Sequence, residues 1–191
     1  MSDETDSGQD QTEVRMQRHK RIRYAFFLPA LAIILIWGLN YILVANPVEK
    51  KLSADTRNNG CSLRAHYHYY LDPNTLVLDL RKIENAAPID LFRILFQAAQ
   101  ALHESGRRFD KVVLARTGTS VFQMKGEEFS TIGLEFAAGQ NPIYLIRTLP
   151  EKLYRMDGEA AFGHWEGGWL GVLSKQMQDV NQAAQQWVTG M

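Results

Sequence analysis

The chain has 191 residues, with 21 Lys and Arg against 21 Asp and Glu, a formal net charge of zero, and a single cysteine. The balance excludes a strongly basic nucleic-acid binder, and one cysteine excludes a domain built on intramolecular disulfides.

In chain order, residues 1–23 come first. MSDETDSGQDQTEV is acidic and polar with almost nothing to bury, the composition of a disordered tail. Arg15, Arg18, Lys20, Arg21 and Arg23 then form a basic cluster. Tyr24–Ala45 follows, 22 residues without Asp, Glu, Lys or Arg. At 1.5 Å per helical residue this run reaches about 33 Å, enough for a hydrocarbon core of roughly 30 Å. It predicts one transmembrane helix. Its core is longer than that of a signal peptide, and Leu43-Val44-Ala45 puts a large residue where cleavage needs a small one. Pro29 and Gly38 are tolerated in spanning helices. Tyr24, Trp37 and Tyr41 lie toward the ends, where aromatic rings favour the headgroup region. Lys50, Lys51 and Arg57 on the far side are fewer and further back than the basic cluster, so the N-terminus is expected in the cytoplasm and the C-terminus outside.

Residues 46–59, with Pro47 at the expected helix exit, read as a linker. Residues 60–191 alternate apolar and polar stretches and suffice for one extracytoplasmic domain without a basic surplus. Leu63–Tyr70 and Thr75–Ile83 read as a hairpin about an Asp72-Pro73-Asn74 turn. A helix is expected from Pro88 to Gly106, carrying Leu91, Phe92, Leu95, Phe96, Ala99 and Leu102 on one stripe. Lys111–Ala115 and Ser120–Met124 are strands, Glu127–Ala138 a helix ended by Gly139, and Ile143–Ile146 a further strand. The last helix carries Leu170, Leu173, Met177, Val180, Ala184 and Trp187 at alternating steps of three and four. The whole predicts an α+β domain, an antiparallel or mixed sheet with about three helices on one face.

Candidate chemistry is sparse. His66 and His68, two apart on a strand, share a face and are the opening pair of a metal site lacking its third and fourth ligands. Cys61 begins a strand, with no helix N-terminus to activate a thiolate. Arg116–Ser120 lacks the spacing and following helix of a phosphate loop and reads as a turn. Gly158–Gly171 holds five glycines around His164, Trp165, Glu166 and Trp169, the composition of a contact surface or of a loop that tucks its tryptophans inward. The 3.5-period stripe is the seam of a two-helix contact, either with its own domain or with a partner.

No cofactor motif is present. The expected partners are the lipid bilayer through Tyr24–Ala45 and a membrane or envelope protein, or a second copy, through Trp165, Trp169, Leu170, Leu173, Met177, Val180 and Trp187; nucleic acid is not expected. By analogy of architecture alone, a short tail, one span and an outer domain suit a non-enzymatic scaffold of a bacterial inner membrane. The alternative is a membrane-anchored enzyme or metal sensor using His66 and His68, or His164 and Glu166.

Overall fold

The computed structural model describes residues 29–84, 87–166 and 169–191, with the backbone alone at Trp169 and Leu170. The acidic tail, the basic cluster, residues 24–28 of the apolar run, and Gly167 and Gly168 lie outside the described residues. The chain divides into two units, one ending at Leu39 and the other spanning Asn40–Met191.

The described part of the first unit is helical, and its helix α1, residues 29–40, ends on the first residue of the second unit. Leu31, Ile33, Ile34, Leu35, Trp37 and Leu39 are each more than half exposed. With the turns that follow, α1 belongs to a helical run, Pro29–Ser53, long and apolar enough to cross a membrane.

The second unit opens on a π-helical turn, Tyr41–Ala45, and helix α2, Asn46–Ser53. Helix therefore occupies the first half of the segment read above as linker. Proline has no N–H to donate and crowds the carbonyl four residues back. The π turn relieves that conflict just before Pro47, because the Asn46 N–H reaches the Tyr41 carbonyl five residues back. Val44 and Val48, four residues apart on one helical face, are fully buried in the domain core, and Asn40 on the same face is also buried.

The polar residues after α2 are committed as well. Asp55 accepts from the Arg57 guanidinium at 2.7 and 2.9 Å and from Gln97 at 2.8 Å. Asn58 donates to the Leu52 carbonyl and to Gln97, and Arg93 bonds Asn58, Asp90 and the Arg57 carbonyl. Chiefly through its hydrogen bond to Arg57, the Asp55 carboxyl is held well below the usual carboxylate range.

Four strands, β1 (Cys61–His68), β2 (Asp72–Ile83), β3 (Lys111–Arg116) and β4 (Thr119–Lys125), form one sheet in the order β1-β2-β3-β4. The outer pairs are antiparallel and the central β2–β3 pair is parallel. A parallel pair needs a crossover, supplied by α3 (Pro88–Glu104). Pro88 starts α3, Asp90 reaches back to the Ala87 N–H at 3.0 Å, and Gly106 at φ +68° lets Arg107 close the end onto the Leu102 carbonyl. Helix α4 (Gly126–Ala137) follows. Ile143–Ile146 is not a strand but lies within helix α5, Pro142–Thr148. Asn141 caps it by accepting from the Ile143 N–H, Pro142 suits its first turn, and Leu145 and Ile146 point inward while Ile143 and Tyr144 face out. A short apolar run has no period that separates strand from helix. Helix α6 (Trp169–Thr189) ends the fold.

The core lies on one face of the sheet. Leu76, Leu78 and Leu80 of β2 join Val112 and Leu114 of β3, Phe92, Leu95 and Phe96 of α3, Phe129 and Ile132 of α4, and Val180 and Trp187 of α6 in one cluster. The alternate face carries only a small separate cluster of Val77, Val113 and Ala115. The fold is thus α+β with a mixed sheet, as expected, but with four strands rather than five and more helices than three.

Two outcomes follow from this packing. A Cβ on Gly133 would stand 2.4 Å from the Ala99 carbonyl oxygen of α3. Gly133→Ala is therefore expected to destabilise the domain by about 1–3 kcal/mol, read from denaturant unfolding in detergent; an unchanged midpoint would mean that α3 and α4 are not so close. Asp55, depressed in the fold, contributes stability above the unfolded carboxylate value of about 3.9, which is lost as pH falls below it. Wild type should exceed Asp55→Asn in stability at neutral pH, and the gap should narrow in melts taken between pH 5 and pH 2.

Candidate functional site

The glycine-rich loop is clasped to the first half of α6. A short 3₁₀ turn, Pro150–Lys152, presents Glu151. Tyr154 then bridges to Gln123 at the β4 edge and to Ala160. From there the loop returns to the helix. His164 Nδ1 lies 2.8 Å from Glu151 Oε2, and Gln176 Nε2 of α6 donates to Glu151 Oε1 at 3.3 Å. Trp165 Nε1 donates to Asp179 at 2.6 Å, and Lys175 Nζ stands 4.5 Å from the centre of the Trp165 ring. Cation and ring attract through the ring quadrupole. His164 stands between two carboxylates, closer to Glu151 on Nδ1 and 3.8 Å from the exposed Glu166 on Nε2. The histidine is itself largely exposed, so this group is a surface clasp without an enclosure that excludes water.

The stripe of α6 splits in two. Val180, Ala184 and Trp187 are buried in the domain's own core, and Trp187 Nε1 donates to the Ala115 carbonyl at 3.0 Å. Val180 and Trp187 therefore leave the set of interaction residues expected from the sequence. Their surfaces are consumed at home, because α6 lies over the sheet and α3 there. Toward its start the helix turns Gln176 inward to Glu151, leaving Leu173 half-buried and Met177 exposed. Trp169 and Leu170 belong to the helix, but their side chains lie outside the described residues. Of the residues expected at a contact, Leu173 and Met177 remain on one flank of α6, and Trp165 on the other, over Lys175 and Asp179.

His66 and His68 do not converge on a common centre. A register irregularity falls between Tyr67 and His68, so the simple alternation of the strand is broken there. His66 stacks on Tyr70 with ring centres 4.9 Å apart, and His68 lies against Tyr69 at 3.9 Å. Among the described residues no group of three or more His, Cys, Asp or Glu is placed to hold a metal ion. The hairpin turns at Tyr69–Leu71 rather than at Asp72–Asn74, since Leu71 N–H bonds the His68 carbonyl and β2 already begins at Asp72. Asp72 instead accepts from the Asn74 N–H at 3.0 Å; with the Thr75 hydroxyl foremost, these bonds hold its carboxyl below the usual range. Tyr69 and Tyr70 both have positive φ, 50° and 63°, a backbone that glycine and asparagine accept far more readily.

One cavity of about 430 Å³ was not foreseen, because its lining comes from separate segments. His103 of α3 faces Ser130 of α4 at 3.3 Å, Arg108 also donates to the Ser130 hydroxyl, and Glu127 and Thr131 complete the wall. Nucleophilic use of Ser130 requires a third group orienting the histidine, and no carboxylate bonds His103 among the described residues. Cys61 is half-buried, and burial, aided by Asp90, pushes its thiol up, away from thiolate chemistry.

Comparison with protein-family models, curated protein sequences and solved structures finds no match.

Trp165→Ala should free the loop from α6 without unfolding the core, seen as faster amide exchange over residues 158–166 and unchanged exchange in β2 and β3; uniform exchange across both would contradict the clasp. Tyr69→Asn should relieve backbone strain of about 1 kcal/mol. Its thermal midpoint in detergent is expected to rise by roughly 2–4 °C; a lowered midpoint would show that the ring stabilises the fold more than its backbone strains it.

Proposed function

We propose that the chain is a single-pass membrane protein whose outer domain works by binding another envelope protein or a second copy of itself. One observation carries the anchor: the large apolar side chains of α1 are exposed, and only 22% of the most apolar window of the Pro29–Ser53 helix is buried. A helix that presents large apolar side chains on several exposed sides is suited to hydrocarbon. The basic cluster before it supports a cytoplasmic N-terminus, with the domain on the outer face of a bacterial inner membrane.

Binding is favoured over catalysis because His66 stacks on Tyr70, His68 lies against Tyr69, and the His164–Glu151 pair lies on an exposed surface. The contact surface proposed is the flank of α6 that carries Leu173 and Met177; Trp165, held over Lys175 and Asp179, lies on the other flank. Flexible apolar groups beside a polar helix face are the composition of an interface centre.

In this reading the protein resists alkaline carbonate extraction from membranes, and a C-terminal reporter is active only on the outer side. Release by carbonate would overturn the anchor. Leu173→Asp with Met177→Asp is expected to leave the domain folded, since neither side chain is buried, and to abolish the species captured by crosslinking in native membranes. A folded double variant that yields the same crosslinked species would remove this face as the interface.

A further inference from the structure

The tip of the β1–β2 hairpin has no role in the clasp or in the core. Tyr69 is 78% exposed and Leu71 67% exposed, on a turn whose backbone suits asparagine and glycine better than tyrosine. An apolar tip held at the expense of backbone strain is the pattern of a functional contact.

Its place in the domain identifies the surface it meets. Cys61, Ser62 and Leu63 line one hollow with Glu49, Leu52 and Ser53, so β1 begins beside the C-terminal end of α2. The strand then runs back along the helix and also contacts the Tyr41–Ala45 turn. From Ser53 back to Asn40 the helix covers about 20 Å at 1.5 Å per residue. From Cys61 to His68 the strand covers about 23 Å at 3.3 Å per residue. The tip therefore lies at the Asn40 end of the domain, the end from which the chain passes into the apolar helix.

We infer that Tyr69-Tyr70-Leu71 is a second membrane contact, seated among the headgroups of the bilayer that α1 enters; this rests on the membrane-anchored reading above. Tyrosine suits that zone, with an apolar ring and a hydroxyl that stays wet, and leucine adds apolar area. Asp72, next in the chain, keeps its carboxylate bonded to the Asn74 N–H. Two contacts, a span and a tip, would restrain how the domain tilts on the membrane.

The test uses the full chain in phosphatidylcholine–phosphatidylglycerol vesicles, with Cys61→Ser as background. Single cysteines replace Leu71 at the tip, Glu84 just beyond the far end of β2, and Ile34 in the span, each carrying an environment-sensitive fluorophore. Nitroxide lipids labelled at the headgroup and in the shallow acyl chain serve as quenchers. The expected result is quenching at Ile34, and quenching at Leu71 several-fold stronger than at Glu84. Nitroxide side chains at the same sites, read by their relative accessibility to oxygen and to a water-soluble nickel complex, should give the same order. If Ile34 is unquenched, the anchor reading fails and this inference with it. If Ile34 is quenched but Leu71 behaves like Glu84, the tip contact is overturned and the anchor stands. If Leu71 is shielded from aqueous iodide but not quenched by nitroxide lipid, a second copy covers the tip, which also overturns it.

Discussion

The helical stretch from Asn40 to Ser53 must bury one face in its own domain, and the rest of that domain's fold is arranged on that constraint. Asn40, Val44 and Val48 are buried along it, and the latter two belong to the main core. Helix continues past Pro47 after a π turn in which the Asn46 N–H bonds the carbonyl five residues back. The helix then gives β1 a surface to run back along. The Asp55, Asn58, Gln97 and Arg93 network fixes the short connection between them, with each polar group bonded to another element rather than left to solvent. With β1 placed, β2 pairs beside it, α3 crosses over, and the parallel β3 closes the centre of the sheet.

The same economy explains why the domain offers so few reactive groups. Its distinctive side chains are already engaged with neighbours: Trp187 with the Ala115 carbonyl, Trp165 with Asp179 and Lys175, His164 with Glu151, and the strand histidines with tyrosines. Such pairing orders a surface, whereas catalysis needs groups poised toward an empty space. The cavity between α3 and α4 comes nearest to that description, with His103, Arg108 and Ser130 sharing contacts, while among the described residues no carboxylate bonds His103.

Much of the fold was legible wherever a period was long. The α3 stripe from Leu91 to Leu102 and the alternation of Leu76, Leu78 and Leu80 identified a helix and a strand because many side chains repeated one geometry. Short segments misled for the complementary reason. Ile143–Ile146 is too brief to reveal its period, and the cap at Asn141 decided it. Asp72-Pro73-Asn74 has turn composition, yet the chain reverses three residues earlier on two tyrosines, because strand register set the place of the turn. Of the candidate contact surface, the aromatic loop could be found from composition. The loss of Val180 and Trp187 to the core could not, since a stripe of period 3.5 does not say which helix or sheet lies opposite it.

Sequence alone determined the apolar helix, the absence of a basic or disulfide-built domain, and the α+β class, all properties of local composition and repeat. Tertiary structure alone decided where the domain begins, that His164 meets Glu151 as well as its neighbour Glu166, and that His103, Arg108 and Ser130 share a cavity. These are meetings between residues far apart in the chain, which no local pattern encodes. They depend on the parallel β2–β3 pairing and on the close approach of α3 to α4 at Gly133, contacts that exist only once the whole core has formed.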